Sequence, residues 1–309
     1  MGTPDFAVAT LKALIDHNFN VVGVITAPDR PSGRGRKLNQ SAVKKYASEQ
    51  QLTILQPTNL KNESFLNELK TLDANLQIVV AFRMLPKVVW QLPSLGTFNL
   101  HASLLPDYRG AAPIHWAIIN GETKTGVTTF FIDEKIDTGA IILQEETTIN
   151  DTETTGDLHD KLMNIGSQLV VKTVKLIQKG EVKTIVQQLN DNVISKEAPK
   201  IFKETCKIDW KQPLDKIYNK IRGLNPFPGA WCVLNNNGEI SKVKIYAIKM
   251  VHEKHHITIG EIISNKKELK VAVKNGYIII EEIQLPNKRK MKVYELLNGY
   301  VFHKNAYLE

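Results

Sequence analysis

The sequence predicts an α/β fold in its first half and a small all-β unit in its second half. In residues 1–180, short continuous apolar runs alternate with segments of helical periodicity. That alternation is typical of a mainly parallel sheet covered by helices on both faces. In residues 231–287, strand-like segments follow one another closely, with Asn-Gly turns between them and a Pro-Asn turn after the last one, which is typical of a small barrel.

The first half divides into elements that alternate along the chain. Apolar side chains at helical spacing predict helices over 6–15, 41–51, 63–72 and 155–179. Short apolar runs predict strands at 21–25, 52–55, 78–82, 127–132 and 141–143. We therefore predict a Rossmann-like domain over residues 1–182, with its functional site at the carboxyl ends of the strands.

The second half follows a segment of low periodicity. Residues 183–199 carry Gln, Asn, Asp and Lys without a regular pattern and are predicted to be a linker. A helix is expected over 214–221, and strands are expected at 231–234, 243–248, 257–262, 269–273 and 277–283. This pattern predicts an OB-like β-barrel domain over residues 200–309, because oligonucleotide-binding barrels have about five short strands.

Composition indicates a globular protein without a membrane span. The 309 residues are 42% hydrophobic and 23% charged, which is ordinary for such a protein. The sequence has no apolar run near the roughly 18 residues that a span needs and no signal-peptide pattern at its start, so we expect a cytoplasmic protein. Cys206 and Cys232 are expected to be reduced thiols, because neither lies in a metal-binding or disulfide-type spacing.

The positive charge is concentrated in the last part of the chain. Residues 1–190 contain 19 basic and 19 acidic residues, whereas residues 191–309 contain 21 basic and 13 acidic residues. The net charge of +8 therefore belongs to the second half. A solvated lysine-rich surface would explain it, but a neutral half followed by a basic half favours a surface that binds RNA.

The segment 99–110 contains the clearest candidate for a catalytic site. It follows an apolar run, so it is predicted to be the end of a strand, where Asn99 and His101 point to the same face. An amide donor beside an imidazole suits a reaction in which a carbonyl oxygen gains negative charge while a proton moves. Taken alone, such a pair is more often hydrogen-bonded structure than catalysis.

A basic, Gly-containing segment at 30–37 is a second candidate site. It is not a dinucleotide fingerprint, because the third glycine is missing and no helix follows directly. Exposed loops often have this composition, but arginines beside glycines also suit a loop that contacts phosphates and bases. The basic residues are Arg30, Arg34, Arg36 and Lys37.

Four segments, in order along the chain, resemble the folate-dependent formyltransferases. They are residues 2–7 (GTPDFA), 28–38 (PDRPSGRGRKL), 99–110 (NLHASLLPDYRG) and 225–231 (NPFPGAW), with the acid of the motif matched by Asp137 in 133–139 (DEKIDTG). The resemblance covers nearly the whole chain. It implies formyl transfer by Asn99, His101 and Asp137, with Asn99 as the oxyanion donor and the proton roles of the other two left open.

The resemblance also implies ligands and their binding residues. The formyl donor would be 10-formyltetrahydrofolate, the acceptor would be initiator Met-tRNA, and no metal would be needed. The basic segment 30–37 would contact the acceptor end of the tRNA, and the protein is expected to be a monomer. The residues expected at the folate are Ser103, Leu104, Leu105, Pro106, Phe82, Arg83, Met84 and Leu85.

The start of the sequence departs from the family pattern. In the family a central apolar strand precedes the motif that begins here at Gly2, whereas only Met1 precedes it in this sequence. We therefore expect a strand of several residues to precede Met1 in the natural protein. An upstream reading frame that encodes no Val/Ile-rich segment would contradict this expectation.

Two other functions stay open at this point. A formyltransferase that acts on an amino sugar or on glycinamide ribonucleotide would share the three catalytic residues, but it would not need the basic loop or the basic second half. A non-catalytic RNA-binding protein would not need Asn99, His101 and Asp137. Two further motifs favour ordinary structure: the triplet 137–139 lacks the second carboxylate of an aspartic protease, and His255-His256 reads as a solvated turn.

Overall fold

The computed structural model describes residues 1–32, 37–187 and 196–309. The described chain forms two compact units. The first contains residues 1–110, 125–147 and 159–197, and the second contains residues 111–124, 148–158 and 198–309. The predicted division into domains at residues 182 and 200 stays a prediction.

Most of the helices lie where the apolar periodicity places them. Ser41 and Asn62 cap two of them, since their side chains accept hydrogen bonds from the backbone N–H groups of Lys44 and Phe65; such caps contribute about 1 kcal/mol each. The helices are α1 Asp5–Asp16, α2 Ala42–Glu49, α3 Glu63–Thr71, α4 Lys87–Trp90, α5 Pro113–Ile119, α6 Thr155–Lys179, α7 Leu214–Gly223 and α8 Val293–Leu297, with a 3-10 turn at Glu204–Cys206.

The strands of the first part of the chain are mostly short, with Lys124–Phe131 and Ile141–Thr148 as its two long strands. Those up to residue 198 are β1 Val24–Ile25, β2 Arg30–Ser32, β3 Lys37–Asn39, β4 Ile54–Leu55, β5 Gln77–Val80, β6 Thr97–His101, β7 Arg109–Gly110, β8 Lys124–Phe131, β9 Ile141–Thr148 and β10 Glu197–Ala198. Those that follow are β11 Ala230–Asn236, β12 Glu239–Ile245, β13 Ile248–His252, β14 Ile262–Ser264, β15 Leu269–Val273, β16 Gly276–Ile280, β17 Glu282–Gln284, β18 Met291–Lys292 and β19 Tyr307–Leu308.

The sheet of the first unit is mainly parallel, as predicted. β1 pairs with β4 and β5 pairs with β6 in parallel, while β8 runs antiparallel to β6. β6 is therefore enclosed by neighbours on both edges, and Phe98 and Leu100 on it are buried. The strand ends at His101, which places that residue at the carboxyl edge where ligands of α/β sheets bind.

Met1 and Gly2 lie between β1 and β5. The Gly2 N–H donates to the Ile25 carbonyl (3.0 Å), and the Met1 carbonyl accepts from the Val80 N–H (2.9 Å). The Met1 amine is buried and donates to the Ile78 carbonyl (2.7 Å), and this burial lowers its pKa from 8.0 to about 5. A cavity of about 340 Å³ adjoins these residues.

The second unit is rich in β-structure around a single apolar core. Five strands pair in the order β18-β17-β12-β11-β19 and four pair in the order β13-β16-β15-β14. Among the residues that the structure describes, these ladders do not close into one barrel, although a bridge joins Glu261 to Tyr307. The thiols of Cys206 and Cys232 are free and buried in this core, and burial raises the pKa of both.

Buried Arg222 ties two segments of the second unit together. Its guanidinium donates to the carbonyl oxygens of Asn150 and Glu153 and to the Asn219 side chain. A buried guanidinium needs such partners, because burying a charged group away from water is unfavourable unless hydrogen bonds compensate for the lost hydration. Residues 148–158 therefore belong with α7, although the chain reaches α7 only after many further residues.

Candidate active site

The end of β6 and the loop between β8 and β9 bring His101 and Asp137 together. His101 Nδ1 lies 3.8 Å from Asp137 Oδ2, and both side chains are largely buried, with 7% and 12% of their surfaces exposed. This distance is longer than a hydrogen bond. The carboxylate can therefore act on the imidazole only through its charge, and the burial of both side chains limits screening by water.

The second ring nitrogen of His101 fixes its tautomer. Nε2 lies 2.8 Å from the Tyr108 carbonyl oxygen, which can only accept, so Nε2 carries a proton and donates it. Nδ1 is then the nitrogen that can gain or lose a proton beside Asp137. The proton chemistry of His101 is thereby limited to one ring atom.

Backbone and side-chain contacts hold Asp137 in an uncommon conformation. Its φ of 54° lies in the left-handed region, where Asp is tolerated better than most residues. The Gly110 N–H donates to Oδ2 (3.0 Å). Gln187 Nε2 donates to the carbonyls of Asp137 (3.1 Å) and Gly139 (2.8 Å), and Arg109 donates to Gln187 Oε1 (2.5 Å).

Gln187, Arg109 and Gly110 were not singled out by the sequence. Arg109 and Gly110 end the motif 99–110, but nothing in their spacing indicates a contact with residue 137. Gln187 falls in the predicted linker and carries no local signal at all. Only the folded chain brings these residues to the Asp137 loop.

Asn99 presents an unsatisfied polar atom. It sits two residues before His101 on β6, opposite Phe130 of β8 and Val79 of β5. Among residues 1–32, 37–187 and 196–309, its buried Oδ1 has no hydrogen-bond partner. A buried amide oxygen without a partner is destabilising by about 1–3 kcal/mol, so this atom fits a ligand that donates a hydrogen bond to it.

The loop after β6 is held by side chains from β8 and β9. Thr128 Oγ1 accepts from the Leu105 N–H (3.2 Å) and donates to the Ser103 carbonyl (2.6 Å), and Gln144 donates to the Leu105 carbonyl (2.9 Å). The side chains of Ser103 and Leu105 are buried, whereas Leu104 and Pro106 are half-buried. Only Leu104, Pro106 and the loop backbone are therefore placed to cover a ligand.

In the predicted folate segment 82–85, too, some side chains are used within the protein and only part of the segment is available to a ligand. Leu85 belongs to an apolar cluster against which Phe82 packs, and the Arg83 guanidinium donates to the carbonyls of Pro57 and Thr58. Met84 is 70% exposed. Of the four residues, Met84 is the one with a side chain available to an apolar ligand surface.

The predicted tRNA loop is only partly described. β2 and β3 form an antiparallel pair in which Arg30 lies opposite Asn39 and Ser32 lies opposite Lys37. Arg30 is exposed. Arg34 and Arg36 lie outside the described residues, as does the side chain of Lys37.

Within the part of the chain that the structure describes, no three His, Cys, Asp or Glu side chains are grouped so that they could hold a metal ion. No helix among these residues has the length and apolar character that crossing a membrane requires.

Comparison with known proteins identifies the family. Residues 1–174 match the family model described as formyl transferase, and residues 200–301 match that of the formyl transferase C-terminal domain. The chain belongs to the formyl transferase family. The resemblance found in the four sequence motifs is thus confirmed, and the chain is an enzyme of the transferase class.

Curated relatives match this formyl transferase over almost its whole length. A methionyl-tRNA formyltransferase of Flavobacterium johnsoniae is 60% identical over 306 residues, which cover 99% of this chain and 96% of the relative. Proteins of the same name from Flavobacterium psychrophilum and Bacteroides thetaiotaomicron are 56% and 52% identical, covering 99% and 97% of this chain and 96% and 94% of the relatives.

Solved structures confirm the fold. A sugar 3N-formyl transferase, WlaRD, solved with dTDP and 5-N-formyl-THF, has a TM-score of 0.65 at 23% identity and covers 93% of this chain and 97% of its own. HypX from Aquifex aeolicus, solved with tetrahydrofolic acid, has a TM-score of 0.59 at 19% identity and covers 81% of this chain and 43% of its own. At these identities the likeness concerns the fold alone.

Proposed function

We propose that this formyl transferase moves the formyl group of 10-formyltetrahydrofolate to the α-amino group of methionyl initiator tRNA. The observation that carries the proposal is the 60% identity, over nearly the full length of both chains, to a relative named methionyl-tRNA formyltransferase. The geometry at His101 and Asp137 supports it, because a buried imidazole beside a carboxylate suits a reaction that moves a proton from an amine.

The reaction needs a site for negative charge and a path for one proton. The amine nitrogen attacks the formyl carbon, a C–N bond forms, and the formyl oxygen becomes an oxyanion. The C–N10 bond of the donor then breaks, and N10 takes a proton as tetrahydrofolate leaves. Overall, one proton passes from the attacking amine to N10, so a residue that holds it in between accelerates both steps.

We assign the oxyanion to Asn99 and the proton to His101. The Asn99 side-chain N–H would donate to the oxyanion, a role typically worth about 10²–10³ in rate. Its buried Oδ1, which has no partner among the described residues, would accept a hydrogen bond from the attacking amine. His101 would hold the proton at Nδ1, since Nε2 is committed to the Tyr108 carbonyl.

Asp137 would stabilise the imidazolium that forms when His101 holds the proton. Its Oδ2 is 3.8 Å from Nδ1 and is fixed by the Gly110 N–H. The 3.8 Å separation leaves Nδ1 accessible to the amine, whereas a direct hydrogen bond would occupy it. This division of roles makes His101 the proton carrier and Asp137 its electrostatic partner.

The remaining residues would bind the two substrates. We assign the folate to the loop 103–106, through its backbone together with Leu104 and Pro106, and to Met84. We assign tRNA contacts to the basic residues of segment 30–37 and to the basic second half of the chain, because residues 191–309 carry the whole charge excess. We further propose that the enzyme acts as a monomer in the cytoplasm, where charged tRNA and the folate donor are available.

The test is transfer of labelled formyl from 10-formyltetrahydrofolate to Met-charged initiator tRNA. We expect formylated Met-tRNA from the purified chain, no product with Met-charged elongator tRNA, and transfer slowed by about 10²–10³ in Asn99→Ala. A nucleotide-linked amino sugar, offered in place of tRNA, should remain unmodified. Formylation of the sugar but not of the tRNA would replace the proposed acceptor, and tRNA binding without any transfer would favour a non-catalytic RNA-binding protein.

A further inference from the structure

The second unit contains a cavity of about 540 Å³ with aromatic walls. Its volume lies in the range of cavities that hold small organic molecules. Phe202 and Phe227, which line it, are 58% and 78% exposed. Exposed phenyl rings at the mouth of a cavity are unusual, because burying such rings is normally favourable.

A third aromatic residue, Trp231, forms part of the wall and is held in place. Its indole N–H donates to the Lys203 carbonyl (2.7 Å). The ammonium group of Lys242 lies 3.6 Å from the centre of its ring, so that face is already covered by a cation. Trp231 thus acts as a fixed wall. The nearest cation to the Phe202 ring, the Lys200 ammonium group, lies 5.8 Å from its centre, much farther than the 3.6 Å at Trp231. The exposed rings of Phe202 and Phe227 are therefore the ones that a planar ligand can reach.

The polar part of the cavity is strongly basic. The described residues that line it include four lysines, Lys200, Lys203, Lys242 and Lys244, and no Asp or Glu. Desolvation, together with the charges of Lys203 and Lys244, lowers the pKa of Lys242. An anion in the cavity would relieve this repulsion, so the site favours a ligand with a negative group.

Flat apolar rings and clustered ammonium groups are complementary to a nucleotide that is not base-paired. We propose that this cavity binds one unpaired nucleotide of the tRNA substrate, with the base stacked on Phe202 or Phe227 and the phosphate on the lysines. Stacking of this kind accepts any base, because every base has a flat face. A base inside a duplex could not stack on these rings, because its two faces are already stacked on the neighbouring base pairs.

The inference rests on the proposed function, because tRNA is the substrate that supplies unpaired nucleotides. The sequence supports the location, because Phe227 and Trp231 belong to the segment 225–231, one of the motifs that resemble the family, and the proposed mechanism gives this segment no role. The charge excess of residues 191–309 belongs to the same half of the chain. The lysines of the cavity are part of this excess, so the cavity is a specific place at which it would contact RNA.

Binding of a fluorescein-labelled single-stranded RNA of eight nucleotides, followed by anisotropy, tests the proposal directly. We expect Phe202→Ala and Phe227→Ala each to weaken binding, and together to weaken it by about 5- to 150-fold, which corresponds to the ~1–3 kcal/mol of one stacked base. Phe227→Trp should bind at least as tightly as the original chain. A fully paired RNA of the same length should show no dependence on either phenylalanine.

The lysines should show a different signature. Lys203→Ala is expected to reduce the slope of log K against log salt by about 0.7, the value for one phosphate contact on a single strand, whereas the phenylalanine changes should leave the slope as it is. Tyr294→Ala is the matched control, because Tyr294 is also 58% exposed and does not line the cavity. Thermal unfolding of each variant verifies that it is folded.

The outcomes separate this inference from the proposed function. Unchanged single-strand binding in the double phenylalanine variant overturns the nucleotide site and points to a different occupant, such as a protein segment. If the original chain forms no formylated Met-tRNA while the phenylalanine variants still lose RNA binding, the proposed acceptor fails and the nucleotide site stands. If the proposed function and the nucleotide site are both correct, the double phenylalanine variant should have a raised KM for tRNA and an unchanged kcat.

Discussion

At the scale of single residues, His101 acquires its chemistry from two neighbours. The Tyr108 carbonyl fixes the proton on Nε2, and the Asp137 carboxylate lies 3.8 Å from Nδ1. Asn99 on the same strand contributes a buried oxygen with no partner within the described chain. The three side chains differ in role, and substitutions should distinguish those roles.

We expect Asp137→Asn to lower kcat roughly 10²- to 10⁴-fold while leaving the KM for tRNA nearly unchanged. The change removes the charge that stabilises the imidazolium, yet Asn tolerates the positive φ of this position and can still accept from the Gly110 N–H. Steady-state kinetics measures both constants. Asp160→Asn, at a carboxylate that is 73% exposed, is the control, and equal activity of the two variants would contradict the role given to Asp137.

Asn99→Ala should lower kcat by about 10²–10³ through loss of the oxyanion donor. Binding of tRNA, measured separately by filter retention, should change little because the basic loop and the second unit are untouched. The variant should be at least as stable as the original chain, since it removes a buried oxygen that lacks a partner among the described residues. A parallel loss of binding and rate would show that Asn99 acts on tRNA affinity instead.

At the scale of elements, the connection between β8 and β9 positions the catalytic acid. Asp137 has a positive φ, and Gly139 two residues later passes close to β8: a Cβ at Gly139 would lie 1.7 Å from the Phe131 carbonyl oxygen. Gln187 then donates to the carbonyls on either side of Thr138. The acid is therefore placed by backbone packing as much as by its own side chain.

Gly139→Ala should displace this connection. Because the added methyl group meets a backbone oxygen, we expect a loss of stability of roughly 1–3 kcal/mol together with a lower kcat. Gly299→Ala is the matched control, since a Cβ there meets nothing within 4 Å. Urea unfolding should show a lower free energy of unfolding, and formyl transfer a lower kcat, for Gly139→Ala than for Gly299→Ala. Equal values for the two variants would mean that the connection can shift without moving Asp137.

At the scale of the whole molecule, stability depends on an amine buried inside the first unit. Burial lowers the pKa of the Met1 amine to about 5 from an ordinary 8.0. Between these two values the unfolded chain holds a proton that the folded chain has released. The free energy of unfolding must therefore rise with pH across this window.

For a chain that begins with a free Met1 amine, we expect stability to increase from pH 5 to pH 8 by up to about 4 kcal/mol, since one pKa unit corresponds to ~1.4 kcal/mol. Below pH 5 and above pH 8 this contribution should be constant, because the folded and unfolded states then bind the same number of protons. Urea unfolding at closely spaced pH values measures it. Acetylation of the amine removes the charge, so an equally steep rise in the acetylated chain would assign the dependence to other groups.

Local patterns were enough to place some elements of the fold but not others. Helix α6 covers the predicted residues 155–179, because a long amphipathic period is a local property. The strand predicted at 257–262 instead occupies Ile262–Ser264. Gly260 has a φ of +89°, and a Cβ there would lie 2.5 Å from the Leu308 carbonyl oxygen, so contact with β19 moves the start of this strand.

Sequence patterns alone were enough to predict the α/β sheet followed by a β-rich half, the family, and Asn99 and His101 on one strand face. These features depend on periodicity and on residues close together in the chain. The family resemblance already grouped Asp137 with Asn99 and His101. The 3.8 Å distance between His101 Nδ1 and Asp137 Oδ2, the support from Arg109 and Gln187, and the aromatic, basic cavity of the second unit required the folded chain. Each of these features joins residues that are far apart in the sequence. Their spacing along the chain cannot indicate such contacts, because the contacts form only when each unit folds.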